Sequence, residues 1–287
     1  QGKVIAFSRL LLPVEAGQRG LRQSEAVFAH VRQLPQVMES LMAELPPEAT
    51  IRAVCASSKP RDEADSYMPV FQTGCGYGRG IAAALRVPFF ETTHQQGHIA
   101  AGCIGLPPLD ERFLALHLSG GTTELLLCEN GRLRLVGGSL DRHAGQMVDR
   151  VGVRLGLRFP AGPELEKLAM ACADPTEALL PASLEKDACY CHLSGAETRA
   201  AQLWEKQVCT PERIAAETFD LLARTVSRML AAGCKRYQVR QALVVGGVAS
   251  SKLLRELLRQ RLAKTGGSVF AADHIEIELD EGLMVSA

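Results

Sequence analysis

The sequence has no excess charge of either sign: 32 Lys and Arg stand against 32 Asp and Glu over 287 residues. A chain without a basic surplus lacks the broad electrostatic footprint of a dedicated nucleic-acid binder, so any RNA must meet a local patch or a partner subunit. No apolar run reaches the roughly 18 residues that a membrane span needs, and no signal-peptide pattern opens the chain. There is no paired cysteine framework either. The nine cysteines are odd in number and scattered. The one close pair, Cys189 and Cys191, is too tight for a zinc finger and has no second pair. Free thiols in a reducing cytoplasm are the expectation. An initiator Met is also missing.

What is present is globular. Hydrophobic residues make up 47% and charged residues 22%. The length is generous for one core and comfortable for two lobes. The strongest local signals are two glycine pairs, each closing an apolar β-rich run. Phe113 to Leu118 leads into Ser119-Gly120-Gly121-Thr122-Thr123, and Ala242 to Val245 leads into Gly246-Gly247 and Ser250. Residues without a Cβ let backbone N–H groups approach an anion, and the Ser and Thr hydroxyls add donors. A plain tight turn explains one such pair. Two pairs suggest nucleotide phosphate held from two sides of a cleft.

Residues 113–118, 123–128 and 132–136 read as a meander, with Asn130-Gly131 as its hairpin turn. Residues 1–7 resemble 130–136, so the chain is expected to open at the third strand of a first repeat. Two strands and a phosphate turn would then lie upstream; a strand that simply begins there is the alternative. A Gly- and Arg-rich linker over 17–22 and a helix over 24–45, kinked at Pro35, follow. Strands at 51–56 and 88–91 alternate with helices at 73–86 and from a Thr92/Thr93 cap through Ala101. The second half reads as helices at 144–157, 163–172, 197–207, 211–233 and 250–263, with a strand at 241–245. This alternation predicts α/β layers in two lobes, 1–110 and 111–287, with the final segment returning to the cleft.

His94-Gln95-Gln96-Gly97-His98 places two imidazoles one helical turn apart, able to chelate one metal. A chance pair on a wet face is the alternative. A His-Glu-x-x-His protease would need Glu as its base; Gln95 stands there and cannot take a proton. Asp280 is the first choice for a third ligand, with Glu281, His117 and His143 as rivals. Asp141 suits the cap or first turn of the helix that follows it. Asp149 lies two turns on, where a carboxylate could bind a ribose or pair with Arg150 or Arg154. Gly162, in the rigid turn Phe159 to Pro163, allows close backbone approach; Pro163 at a helix start explains most of that turn.

Several segments together resemble the TsaD family, formerly called O-sialoglycoprotein endopeptidase. They are His94 to Ala101, Leu118 to Leu125, Ala144 to Arg150, Phe159 to Ala169 and Val245 to Ser250, in the family's order. The resemblance implies an actin-like ATPase (ASKHA) fold of two lobes, each with a mixed sheet flanked by helices. It implies transfer of a threonylcarbamoyl group from its adenylate to the adenosine beside a tRNA anticodon. His94, His98 and Asp280 match the family's ligands for iron or zinc. His117, Leu118, Ser119, Gly120, Gly121 and Thr122 match a substrate-binding segment. Asp149, Gly162, Gly246 and Gly247 match nucleotide contacts, for ATP, ADP or the adenylate. Partner subunits of the same pathway are implied, as is a homodimer or a heterodimer with a paralogue. The departures are Thr122 for His, Gln146 for Glu, Ser251 for Asn, Glu281 for Asn, and Lys59 to Phe71 in place of a Gly-rich loop. They leave open a divergent paralogue that acts as a scaffold or uses another acceptor. A metallopeptidase is the least favoured reading.

Overall fold

Helix and strand alternate along the computed structural model, which describes residues 3–12, 21–173, 178–263 and 268–271. The chain divides into two units between Gly105 and Leu106.

The first unit carries α1 (Gln23–Glu44), β1 (Val54–Lys59), α2 (Pro69–Leu85), β2 (Phe89–Thr93) and α3 (His94–Gly102). Ala26, His30 and Leu34 bury one face of α1 at i, i+4 and i+8. Ala26 packs with Val70 and Phe71 of α2. Pro35 lies inside α1 and does not end it. β1 and β2 pair in parallel, Val54 opposite Phe89. Gly78 of α2 lies against them: a Cβ there would sit 3.0 Å from the Phe89 ring and 3.4 Å from Ala56. Two expectations change here. The first strand runs three residues later than the apolar run 51–56 indicated, and the described residues 3–12 form no strand. A strand needs a backbone partner, and among the described residues no strand pairs with that segment, whose Phe7 N–H and Leu11 carbonyl bond instead to Glu44 and Gln33 side chains of α1. The sheet described in this unit is therefore two parallel strands rather than a mixed meander.

The second unit is built on a seven-stranded mixed sheet. In chain order its elements begin with β3 (Arg112–Leu118), β4 (Thr123–Glu129), β5 (Arg132–Ser139), α4 (Ala144–Arg154) and α5 (Gly162–Met170). There follow β6 (Ser183–Leu184), β7 (Tyr190–His192), α6 (Ser194–Glu205), α7 (Pro211–Tyr237), β8 (Gln241–Val245), α8 (Lys252–Leu262) and β9 (Ser268–Ala271). The strand order is β6-β7-β5-β4-β3-β8-β9. The meander stands as read, with Asn130 and Gly131 both at positive φ in its hairpin turn. Period-2 alternation puts Leu114, Leu116, Leu118, Leu125 and Leu127 on one face, each at most 1% exposed. They share a core with Leu222, Val226, Met229 and Leu230 of α7. Each such side chain contributes about 1.5–3 kcal/mol by burial. Gly233 lets α7 close on the sheet, since a Cβ there would sit 2.8 Å from Leu114 Cδ1.

The cysteines are free thiols. Cys189 and Cys191 both lie buried on β7 or at its start. Burial pushes the Cys191 thiol up to about 11, so it stays protonated at neutral pH. Among the described residues, no helix is long and apolar enough to cross a membrane.

Candidate functional site

The two glycine turns meet on one sheet. β3 and β8 are adjacent and parallel, with His117 opposite Val245. Both turns therefore leave the same end of neighbouring strands, where a parallel sheet leaves a crevice for ligands. The expectation of two turns facing each other from opposite sides of a cleft is corrected to two turns side by side. Gly246 has φ 103°, a conformation that L side chains rarely adopt. A Cβ there would strike the Leu118 carbonyl oxygen and lie 2.8 Å from the His117 ring. Its missing side chain is what lets the second turn lie against the first. Gly121 and Gly247 are exposed, and a Cβ on either would meet nothing within 4 Å. Backbone there is open to an incoming group.

Helix α4 fixes the first turn. Ser119 N–H donates to the Thr122 carbonyl at 2.8 Å and closes the loop. The first helical amide, Ala144 N–H, donates to Thr123 Oγ1 at 2.8 Å. Gly145 N–H donates to the Ser119 carbonyl at 3.1 Å. A Cβ on Gly145 would sit 2.6 Å from Gly120 Cα, so this glycine is what allows the contact. Two donors that a helix start leaves over are thus spent on positioning the loop. Gln146 closes the same helix start, its Oε1 accepting from His143 N–H at 3.5 Å. That is its place in this chain, whatever stands there in relatives.

Asp141 is not the cap of α4; His143 holds that place. The Asp141 carboxylate reaches instead to the start of α6. Its Oδ1 accepts from Leu193 N–H at 2.8 Å and from Arg142 N–H at 2.6 Å, and its Oδ2 accepts from Ser194 N–H and from the Ser194 hydroxyl. Burial works against the charge, but these hydrogen bonds outweigh it and hold the carboxyl below its ordinary range. The helix that a carboxylate caps is set by tertiary folding, so proximity in sequence pointed to the wrong one.

Asp149 is half-buried on α4, and its Oδ1 accepts from Ala161 N–H at 2.8 Å. Arg150 pairs with Glu197 at 3.4 Å and Arg154 with Glu205 at 2.7 Å. Asp149 thus ties α4 to the turn 159–163 that begins α5 with Gly162. A Cβ on Gly162 would only touch Val148 at 3.8 Å, so packing among the described residues does not demand glycine there. Ser251 caps α8, its Oγ accepting from Leu254 N–H at 3.1 Å. Glu166 of α5 accepts the next free amide, Leu253 N–H, at 2.7 Å. Thr123 reads in the sequence as a donor to an anion and serves here as an acceptor for a helix start, while neither Gly145 nor Glu166 stands out as a site-building residue. Both contacts are distant in sequence, 21 residues for Thr123 and 87 for Glu166, and leave no local signal.

In the first unit, Thr93 and Gln96 form a capping box at the start of α3, with Gln96 N–H on Thr93 Oγ1 at 3.1 Å and Thr93 N–H on Gln96 Oε1 at 2.9 Å. The box sets the helix phase so that His94 and His98 share a face, Nε2 to Nε2 at 3.1 Å. Two imidazole nitrogens that far apart, each about 2.1 Å from one ion, subtend an angle of ~95°, suited to a chelate. The donor set of the two histidines therefore fits a divalent metal. His117 and His143 belong to the second unit. Asp280 and Glu281 lie outside the described residues. Among the described residues no group of three His, Cys, Asp or Glu side chains gathers.

A family profile described as TsaD, tRNA N6-adenosine threonylcarbamoyltransferase, matches residues 14–277. A curated protein of that name from Thiobacillus denitrificans is 35% identical over 217 residues, 74% of this chain and 63% of its own length. One from Thermus thermophilus is 35% identical over 236 residues, 80% of this chain and 69% of its own. The chain thus spans about two thirds of the length of these relatives. Among solved structures, HypF from T. kodakarensis aligns at TM-score 0.63 and 14% identity, covering 83% of this chain and 40% of that one. The Clostridium difficile activator of 2-hydroxyisocaproyl-CoA dehydratase, with bound ADPNP, aligns at 0.50 and 18%, covering 88% and 78%. At such identities the likeness is one of fold, the α/β fold of the actin-like ATPases. The sequence match extends over most of the chain, and the chain belongs to the TsaD family.

Proposed function

We propose that this protein transfers a threonylcarbamoyl group from its adenylate to the exocyclic amine of a tRNA adenosine beside the anticodon. The observation that carries the reading is the pair of glycine turns at the ends of two adjacent parallel strands, in a chain of this family. The turns take the phosphate of the adenylate. Exposed backbone at Gly121 and Gly247 comes close to its oxygens, and Ser119 and Thr122 line the first turn. The Asp149 carboxylate receives the ribose, and Gly162 and Ser251 line the same nucleotide.

In the reaction the adenosine N6 attacks the carbamoyl carbonyl carbon. A C–N bond forms, the C–O bond to phosphate breaks, the amine loses a proton and AMP departs. Charge develops on the carbonyl oxygen, where N–H groups of a preorganised turn stabilise it. His94 and His98, with Asp280 as third ligand, would hold one divalent ion, iron or zinc, and such an ion would supply Lewis-acid chemistry. Partner subunits help to present the tRNA. Adenylate consumption by the full-length protein tests the reading. Turnover that depends on unmodified tRNA supports it. Turnover indifferent to tRNA favours the second reading, another acceptor, which rests on Thr122, Gln146, Ser251 and Glu281. No turnover with intact nucleotide binding favours a scaffold.

A further inference from the structure

Charge in this neutral chain is not evenly spread. From Leu221 to Arg255 it carries seven basic residues and no acidic one. The fold gathers part of this stretch with basic residues from elsewhere. The C-terminus of α7 leads through Arg240 into β8, at the end of the sheet where β5 also begins. There Arg134 of β5 stacks on Tyr237 with its guanidinium carbon 5.4 Å from the ring centroid, and Arg236 lies 5.8 Å from it. Arg132, Arg134, Lys235, Arg236 and Arg240 are all exposed.

A helix C-terminus attracts cations, which accounts for Lys235 and Arg236 alone. It does not account for the arginines of β5 or for Arg240. Four acidic residues lie in the same region: Asp110 and Glu111 are exposed just before β3, where Asp110 N–H donates to Gln241 Oε1 and the Glu111 carbonyl accepts from Asn130 N–H, and the other two are Asp187 and Glu129. Asp187 pairs with Arg236 at 2.6 Å, and Glu129, opposite Arg132 in the ladder, pairs with Arg112 at 2.7 Å. Arg134, Lys235 and Arg240 have no ion-pair partner among the described residues. Three exposed cations without an ion pair, one of them stacked on an aromatic ring that a second guanidinium also approaches, outnumber the acidic residues not already in an ion pair and make a surface that suits a phosphodiester chain.

We propose that this surface docks the sugar–phosphate backbone of the acceptor RNA. Its choice of RNA rests on the transferase reading. The surface sits at the opposite end of the strands from the glycine turns, about 20 Å away along a seven-residue strand. It binds backbone and carries no sequence preference.

The test compares full-length protein with the variant Arg134→Glu/Lys235→Glu/Arg240→Glu. A second variant, with Gln at the same three positions, serves if the first fails to fold. Binding of a fluorescent unmodified tRNA transcript is followed by anisotropy at stepped salt concentrations, and ATP binding is measured alongside. The expected result is a loss of tenfold or more in tRNA affinity at low salt, with the slope of log affinity against log salt reduced by about 2 to 3. ATP binding stays unchanged. Equal affinity and slope in wild type and variant would overturn the proposal. So would a wild type that binds ATP but no tRNA, or one whose patch takes polyglutamate or anionic vesicles and not tRNA. If tRNA binds through the patch yet no threonylcarbamoyl group is ever transferred, the docking surface stands and the transferase reading falls.

Discussion

Substituting each residue of the second glycine pair by alanine separates the fold of the site from its function. Gly246→Ala forces an L residue to φ 103°. That conformation costs about 1–3 kcal/mol. The new Cβ also runs into the Leu118 carbonyl and sits 2.8 Å from His117 Cδ2. Backbone cannot swing away as a flexible side chain would, so overpacking adds about 1–3 kcal/mol. A total of about 2–6 kcal/mol lowers the melting temperature by about 5–20 °C for a unit of this size. Gly247→Ala is the control. Its Cβ meets nothing within 4 Å, and its φ is one that alanine tolerates. The folded state is unharmed, and lower entropy of the unfolded chain stabilises it by about 0.4–1 kcal/mol. The methyl group nevertheless stands where the proposed phosphate would approach, and about tenfold weaker ATP binding, about 1.4 kcal/mol, is expected. Calorimetric melting and titration with ATP read the two effects. A Gly246→Ala protein that melts with wild type would refute the turn geometry. A Gly247→Ala protein with unchanged ATP affinity would refute the placement of phosphate at this turn.

Three further outcomes follow from the site. His94→Ala should remove stoichiometric iron or zinc from the purified protein while its circular dichroism is unchanged; metal content equal to wild type counts against the histidine pair. Asp149→Ala should weaken ATP binding and, by leaving the buried Ala161 N–H without its acceptor, cost about 1–3 kcal/mol in stability; Asp149→Asn, which keeps an oxygen there, should recover the stability, and an equally destabilised Asn variant would contradict the hydrogen bond. Asp141 has a carboxyl held below its unfolded value, so its contribution is present above the unfolded pKa and is lost as pH falls through the folded one; Asp141→Asn should flatten the acid limb of the stability profile, and an unchanged limb would exclude it as the cause.

Much of this was legible because it rests on local signals. The meander 113–136 announces itself by period-2 leucines and Asn130-Gly131. The cap of α3 is written as Thr93 followed three residues later by Gln96. The histidine pair needs only helical spacing. What escaped depends on contacts distant in sequence. That β3 and β8 are neighbours, which brings Gly246 against Leu118 and His117, is a matter of strand order, and strand order leaves no mark on either strand. Asp141 looked like a cap of its own helix and caps α6, 52 residues on. The two- and three-residue strands β6 and β7 are too short to show a period. The likeness of residues 1–7 to 130–136 is real as a pattern of residues, yet no strand forms over 3–12, because alternation alone cannot supply a pairing neighbour.

The measurement that bears most directly on the central claim is nucleoside analysis of the product. Full-length protein, threonylcarbamoyl-adenylate and unmodified tRNA are incubated with and without pathway partners, and the digested tRNA is examined by mass spectrometry. The account predicts threonylcarbamoyladenosine beside the anticodon, dependent on His94 and on the glycine turns. Consumption of the adenylate with every adenosine left unmodified would contradict it.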